Sequence, residues 1–220
     1  MNSKKHPPIF DVFQPGLRRG SERLPYDPAK AYAYVEHPIE GWRVYLRSAV
    51  FIHEDGVPFN PMRFIAVKKT GTRHSSATWE PPKGQMEGKD MRKKSTSSRE
   101  KSVMELLTEN VRRETEEESH ITRFKKITYT GLAFQAVEPD FPPNTFFQYH
   151  IFQGFVDNSE IGKAFEVFDW IKEHPDAFAR WRRDRREKDE IDWFNPRKTR
   201  LNPRWCPAIF ALYLKEYTKK

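Results

Sequence analysis

Three glutamates in the middle of the chain have a spacing that brings carboxylates together. Glu114, Glu117 and Glu118 stand at i, i+3 and i+4, so an α-helix presents all three on one face. Like charges this close destabilise a helix unless a cation neutralises them, and carboxylate oxygens are ligands that Mg2+ prefers. The spacing therefore indicates a metal site. A solvated acidic helix surface is the alternative that the spacing alone leaves open.

A wider pattern surrounds these glutamates. Glu105 is separated by seven residues from Arg113-Glu114, and a Pro-Pro-Lys-Gly sequence occupies residues 81–84, after a strand-like segment. Over residues 79–121 this arrangement resembles the Nudix box. That pattern is Gly, five residues, Glu, seven residues, Arg-Glu, an apolar residue, any residue, Glu-Glu, any residue, Gly and an apolar residue. Ile121 matches the final apolar position.

The sequence departs from the box at three places. The interval between Gly84 and Glu105 is much longer than the five residues of the pattern, so an insertion separates the glycine from the first glutamate. Thr115 replaces an aliphatic residue, and His120 replaces the final glycine. Because histidine tolerates positive φ better than most residues, we expect His120 to end the helix in the left-handed conformation.

The resemblance implies an α/β fold, a Nudix-type α/β/α sandwich with a mixed β-sheet. It also implies hydrolysis of a phosphoanhydride with Mg2+ or Mn2+ as cofactor. In this sequence the implied metal ligands are Glu114, Glu117, Glu118 and the backbone carbonyl of Gly84. Glu117 or Glu118 is the implied base, and Glu105 and Arg113 are the implied orienting residues.

Basic residues near the box predict where a substrate's phosphates lie. Lys83 follows the Pro-Pro pair, and Lys68 and Arg73 precede it in a strand and a polar loop; phosphate binding and surface solubility explain the latter two equally well. A basic, serine-rich insertion at residues 89–102 predicts a mobile loop. Gripping remote phosphates and a tolerated surface insertion are its two open interpretations. Glu190 is favoured over Glu138 as an additional carboxylate near the metal.

Periodicity and turn residues predict the elements around the box. Residues 1–36 are expected to form an N-terminal extension with a helical turn near residues 29–35, and residues 37–220 the Nudix domain. Strands are predicted at 42–53 and 63–68, paired in the central sheet, and at 126–136, 144–156 and 189–194. Helices are predicted at 103–119, at 161–188 with a break at His174-Pro175, and at 203–217.

Charge and composition bound the partners. The net charge is +8, which favours polyanions, and the single cysteine excludes an intramolecular disulfide. No long apolar run predicts a membrane span, so a soluble, cytoplasmic protein is expected. The expected substrate is a highly charged small molecule, of the dinucleoside polyphosphate or diphosphoinositol polyphosphate type. Capped RNA is the alternative, supported by the basic run at residues 180–188. A non-catalytic module that binds RNA or protein is the alternative of another class.

Overall fold

The computed structural model describes residues 8–92 and 100–217. Residues 93–99, the centre of the predicted mobile insertion, lie outside the described part, and so does that prediction. The elements that follow one another along the chain are β1 (Arg18–Leu24), β2 (Asp27–Glu36), β3 (Arg43–Glu54), β4 (Ile65–Lys69), β5 (Trp79–Glu80), β6 (Lys83–Gln85), α1 (Val103–Ser119), β7 (Lys126–Ala136), β8 (Thr145–Val156), α2 (Asn158–Glu173), α3 (Pro175–Phe178), β9 (Lys188–Trp193) and α4 (Cys206–Tyr217).

Strand β3 is the centre of the larger sheet, whose order is β1-β2-β3-β8-β7 with β6 also paired to β3. β3 runs parallel to β8 and antiparallel to β2 and β6, so the sheet is mixed. Its side chains alternate between two cores, because successive residues of a strand face opposite sides. One face packs with α1 and α2 and the other with α4, through Val44, Leu46, Val50 and Ile52 on the first and Tyr45, Ala49 and Phe51 on the second. This arrangement confirms the α/β/α sandwich with a mixed sheet.

A second, three-stranded sheet has the order β5-β4-β9. The prediction that residues 42–53 and 63–68 pair with each other is therefore wrong. Both edges of β3 are occupied, by β2 and β6 on one side and by β8 on the other. β4 pairs instead with β9, a strand from the far end of the chain, with Val67 opposite Ile191.

The N-terminal segment belongs to the larger sheet. β1 pairs with β2, and β2 pairs with β3 through Tyr34 opposite Tyr45. The helical turn predicted near residues 29–35 is wrong, because these residues belong to strand β2. Ala33 and Val35 face one core, and Tyr32 and Tyr34 face the other.

Capping interactions define the helix that carries the box. Ser102 is the N-cap of α1, and its side chain and that of Glu105 form a capping box. His120 ends the helix at φ 59°, in the left-handed conformation, which confirms the prediction made for this residue. The terminal turns of α1 are thereby fixed at both ends.

The C-terminal third follows the sequence pattern in part. α2 ends at Glu173 and Pro175 starts a separate short helix, so the predicted break is confirmed. The prediction of helix as far as residue 188 is wrong beyond Phe178, because this basic stretch gives way to a 3-10 turn at Arg183–Arg185 and then to β9. No helix in the described residues combines the length and apolar character needed to cross a membrane.

Candidate functional site

The turn of α1 that carries Glu114, Glu117 and Glu118, here called the acidic turn, packs directly on the Lys83-Gly84 segment of β6. The backbone N–H of Lys83 donates to Glu118 Oε2 at 2.9 Å. A Cβ at position 84 would lie 1.9 Å from Glu114 Cδ, so the carboxylate occupies space that only glycine leaves free. The structure thus brings two segments of the box together across the insertion that separates them in the sequence.

Arg113 holds two of the three carboxylates. Its guanidinium lies 2.7 Å from Glu114 Oε1 and 2.7 Å from Glu117 Oε2, and it donates to Asn110 Oδ1 at 2.7 Å. Asn110 in turn donates to buried Ser48 Oγ of β3 at 2.7 Å. Bonds from one guanidinium to two carboxylates fix their directions, so Arg113 orients this face of α1.

The third carboxylate belongs to a buried ionic network. Lys188 Nζ of β9 lies 2.9 Å from Glu118 Oε1 and also bonds Glu80, while Glu80 Oε2 lies 3.0 Å from Lys83 Nζ. Glu80, Glu118 and Lys188 are each buried. Glu118 is therefore held at both oxygens, by a backbone N–H and by an ammonium group.

Burial dominates the electrostatics of the acidic turn. Burial raises the pKa of Glu114 to about 8; Arg113 opposes that rise, and Glu118 and Glu117 add to it. Burial likewise raises the pKa of Glu117 and of Glu118. Behind the turn the balance is reversed, because Lys188 and Lys83 outweigh burial and lower the pKa of Glu80. Burial thus disfavours the ionised form of these carboxylates, and a cation bound at the turn would stabilise that form.

The donor set suits a hard divalent cation. Three carboxylates project from one helical turn, and the glycine of β6 permits the close approach of one of them, Glu114; oxygen ligands of this kind suit Mg2+ or Mn2+. In the described residues, no three acidic, histidine or cysteine side chains converge as a metal-binding group. Arg113 and Lys188 are the cations that contact these carboxylates. A metal ion would therefore share or replace those contacts.

The remaining predicted site residues lie elsewhere. Glu105 accepts hydrogen bonds from the backbone and hydroxyl of Ser102 at 2.7 and 2.8 Å. This places it at the opposite end of α1 from the acidic turn. Lys68 is buried, and its ammonium bonds Glu190 and the carbonyl of Thr72, so it is engaged within the protein. Exposed Arg73 is not part of the wall of the cavity at the acidic turn.

Two further predicted carboxylates are also paired. Glu190 bonds Lys68 and lies 2.5 Å from His74 Nδ1. Glu138 accepts from Arg47 at 3.1 Å and also from Arg204. Both line the cavity described next, but their ion pairs are with bases outside α1.

A cavity of about 1010 Å3 opens beside the acidic turn. Glu114, Glu117 and Glu118 contribute to one part of its wall, together with Lys83 and Gly84. Basic side chains from distant parts of the chain line other parts, among them Lys30, Lys69, Lys172, Arg183, Arg186 and Arg204. The cavity is large enough for an extended ligand. Acidic side chains, among them Glu87, Asp184, Glu187, Asp189 and Glu190, lie among the basic ones, which are suited to pair with the anionic groups of a ligand.

Comparisons with known proteins give two similar solved structures. One is described as a NUDIX hydrolase from Nitrosomonas europaea and is 15% identical, covering 80% of this chain and 88% of that chain with a TM-score of 0.41. The other, also described as a NUDIX hydrolase from Nitrosomonas europaea, is 11% identical, covering 93% and 90% with a TM-score of 0.42. No family model and no curated protein matches the sequence.

The mixed sheet lies between two helical layers, and the helix that carries the Arg-Glu and Glu-Glu pairs packs on a Lys-Gly strand, as the resemblance to the Nudix box predicts.

Several residues of this site were not predicted from the sequence. Lys188 bonds both Glu118 and Glu80, and the Arg113 guanidinium faces Glu87 at 3.9 Å and Asp90 at 3.7 Å. Glu80 stood next to the Pro-Pro-Lys-Gly sequence, which was a usable signal. Lys188 had none, because its contact joins β9 to α1 and these elements are remote from each other in the sequence.

Proposed function

We propose that this protein is a metal-dependent hydrolase that cleaves a phosphoanhydride in a highly charged substrate. One observation carries the proposal: a helical turn with three carboxylates packs on the Lys83-Gly84 segment through Glu118 and Glu114, at the wall of a large cavity that also holds basic side chains. A binding module has no need of such a buried acidic cluster. A hydrolase does, because the carboxylates hold the divalent cation that neutralises the oxygens of the phosphoanhydride and lowers the pKa of the attacking water.

The proposed metal ligands are Glu114, Glu117 and Glu118, with the carbonyl of Gly84. When bound, Mg2+ or Mn2+ neutralises part of the phosphate charge and lowers the pKa of a water molecule that it holds. Arg113 orients Glu114 and Glu117, and the backbone N–H of Lys83 orients Glu118.

Glu117 is our choice for the base that takes a proton from the attacking water. Both oxygens of Glu118 are engaged, by Lys83 N–H and by Lys188. Among the described residues, the Glu117 carboxylate has a hydrogen bond and ion pair only at Oε2, with Arg113. Its other oxygen is thus the available acceptor, and its burial-raised pKa increases its basicity.

The proposed substrate class rests on the basic side chains of the cavity wall. Lys83 lies next to the acidic turn and carries a pKa raised by Glu80 against the effect of burial, so its amine stays charged. Further basic side chains lie beyond it, as described above. We propose a dinucleoside polyphosphate or a diphosphoinositol polyphosphate, because each presents more phosphate groups than the scissile pair.

Capped RNA is the second candidate, and two arginines of the basic run favour it. Arg183 and Arg186 line the cavity, where they would face the phosphates of a strand leaving the site. Arg182 and Arg185 are already paired, with Asp184 at 2.8 Å and Glu116 at 2.6 Å. Two of the four arginines are therefore placed to contact RNA phosphates and two are already paired. We accordingly prefer the small polyanion as the substrate.

The test is a hydrolysis assay with Mg2+ or Mn2+ across a panel of dinucleoside polyphosphates, diphosphoinositol polyphosphates and capped RNA. Wild type is expected to cleave at least one of them, and Glu117→Gln to be slower by roughly a hundredfold or more. Glu116→Gln is the matched control, because it makes the same change on the same helix at a residue that bonds Arg185 instead. Its rate is expected to stay close to that of wild type.

Two outcomes contradict the proposal. If neither wild type nor Glu117→Gln cleaves any member of the panel, the non-catalytic binding module is favoured. If both cleave equally well, the carboxylates of α1 are not the catalytic groups.

A further inference from the structure

Three hydrogen-bond donors on one part of the cavity wall have no acceptor. They are Arg47 Nε, Gln85 Nε2 and Trp205 Nε1, all buried, and within the described residues none has a hydrogen-bond partner. A buried donor without a partner is costly, and proteins keep few of them. In the part of the chain that the structure describes, Arg113 Nε, Asp184 Oδ1 and Asp189 Oδ1 of the same cavity also lack hydrogen-bond partners. Arg47, Gln85 and Trp205 lie together, because Arg47 is opposite Gln85 between β3 and β6 and the Phe147 ring is close to both the Arg47 guanidinium and Trp205. Three donors in one place indicate a missing acceptor. We call Arg47, Gln85 and Trp205 the donor wall.

The neighbouring acceptors of the donor wall are already used. Glu138 accepts from Arg47 at one oxygen and from Arg204 at the other. Gln85 Oε1 accepts from the hydroxyl of Tyr26 at 3.0 Å, and that hydroxyl accepts from Arg47 at 3.1 Å. In this part of the wall the three donors therefore lack partners among the described residues, whereas the acceptors have them. A ligand group made mostly of hydrogen-bond donors would therefore fit the donor wall poorly.

The charge of the donor wall indicates the kind of ligand that it would bind. Two guanidinium groups, of Arg47 and Arg204, share the single carboxylate of Glu138, so the local formal charge is positive. The Arg47 guanidinium also lies 4.0 Å from the centre of the Phe147 ring, and its side chain is only 6% exposed. A buried, stacked guanidinium suits a planar or tetrahedral oxyanion that accepts several hydrogen bonds.

The donor wall lies next to the acidic turn and is separate from it. The Tyr149 ring is close to both, since its centre lies 5.4 Å from the Arg47 guanidinium and 5.9 Å from Lys83 Nζ. A ligand that reaches from Lys83 to the donor wall would therefore lie beside Tyr149. The oxyanion bound there is thus a second group of the ligand, beyond the scissile pair.

We propose that the donor wall is an oxyanion subsite that binds a second anionic group of the ligand, a phosphate or a carboxylate. Assigning that group to the substrate rests on the proposed function. Binding of an oxyanion to the wall does not, since its three unpartnered donors belong to residues outside the acidic turn.

The test is a titration of 15N-labelled full-length protein with inorganic phosphate in EDTA, at constant ionic strength kept with chloride. The chain has six tryptophans, and Trp205→Phe identifies the indole N–H signal of Trp205 by its loss. Phosphate is expected to shift this signal saturably and to leave the other indoles in place. A parallel titration with acetate shows whether a carboxylate is accepted as well.

Variants separate the donor wall from a general effect of anions. Gln85→Met removes the amide donor and should weaken phosphate binding roughly tenfold, the effect of one hydrogen bond to a charged group. Gln153→Met is the matched control, because Gln153 bonds Tyr213 outside the cavity, and it should bind phosphate like wild type. Near-ultraviolet circular dichroism verifies that each variant is folded.

The subsite is contradicted if the Trp205 signal shows no saturable shift, if all indoles shift alike, or if Gln85→Met binds phosphate as well as Gln153→Met does. These results are independent of hydrolysis, because EDTA removes divalent metal and the probe holds no phosphoanhydride. An inactive protein that binds phosphate at Trp205 would contradict the proposed function alone. An active protein without that shift would contradict the subsite alone.

Discussion

Gly84 and Glu114 are in closer contact than a side chain at position 84 would permit. Helical spacing made the shared face of Glu114, Glu117 and Glu118 predictable, because it depends only on residues that are close neighbours along the helix. The bonds of Lys188 to Glu118 and to Glu80 were not predictable, since they join residues that are far apart in the sequence. Lys68 shows the same limit: its sequence position suggested phosphate, whereas distant Glu190 occupies its amine.

Gly84→Ala tests this contact. The added Cβ would overlap the Glu114 carboxylate, so we expect a loss of about 1 to 3 kcal/mol in the free energy of unfolding and weaker Mn2+ binding. Urea denaturation and a Mn2+ titration measure the two effects. Gly162→Ala is the control: it lies in α2 with open space around it, and alanine should stabilise that helix by up to about 1 kcal/mol. Unchanged stability and unchanged Mn2+ binding in Gly84→Ala would refute the close packing.

Lys188→Met tests the buried ionic network. Removing this ammonium leaves Glu80 and Glu118 without a shared partner, so we expect a loss of about 3 to 5 kcal/mol in the free energy of unfolding. Lys172→Met should change it by less than about 1 kcal/mol, because Lys172 pairs with Asp169 at the surface. The double variant Glu80→Gln/Lys188→Met should lose less than the sum of the single losses. Additive losses would show that the two residues are not coupled.

At the scale of elements, α1 was predicted with its bounds and with its left-handed end at His120, because these signals are local. The apolar residues recur at helical spacing, whereas the capping box of Ser102 and Glu105 was not predicted. β2 and the stretch after Phe178 were predicted wrongly as helical. Pairing with β3 makes β2 a strand, and pairing with β4 makes β9 a strand. Neither pairing is visible in the strand's own local sequence.

The cap of α1 gives a prediction at this scale. Ser102→Ala removes the hydroxyl that accepts the Glu105 N–H at 3.2 Å, and we expect a loss of about 1 kcal/mol in the free energy of unfolding. Ser159→Ala is the matched control, an exposed serine in the first turn of α2, and should change the value by much less. Equal effects in the two variants, measured by urea denaturation, would mean that the cap of α1 contributes nothing.

For the molecule as a whole, the sequence predicted the mixed α/β class but not which strands are neighbours. The box and the alternation of apolar residues carry the class. The division into two sheets depends on the filling of both edges of β3, which a single strand's sequence does not show. Buried histidines in this framework give the whole molecule a dependence of stability on pH.

His53 is buried between the carbonyl of Arg63 and the hydroxyl of Tyr213, and burial lowers its pKa to about 4. The unfolded chain binds this proton near pH 6.5, so acidification below that value favours unfolding until the folded pKa is reached. The free energy of unfolding of wild type should therefore fall by up to about 1.4 kcal/mol more per pH unit than that of His53→Gln, between roughly pH 6 and pH 4.

Comparison with His53→Gln is needed because Glu114 acts in the opposite direction. Its folded pKa of about 8 makes stability decrease as pH rises. Both proteins contain Glu114, so the difference between their urea denaturation curves isolates His53. Parallel pH dependence in the two proteins would contradict the burial of a neutral imidazole.

Binding of Mn2+, followed by electron paramagnetic resonance of the free ion, tests the acidic turn most directly. Wild type should bind Mn2+ saturably, Glu116→Gln should match it, and Glu114→Gln and Glu117→Gln should each bind more weakly. Equal Mn2+ affinity in wild type and in the two variants of the acidic turn would contradict the assignment of these carboxylates as metal ligands.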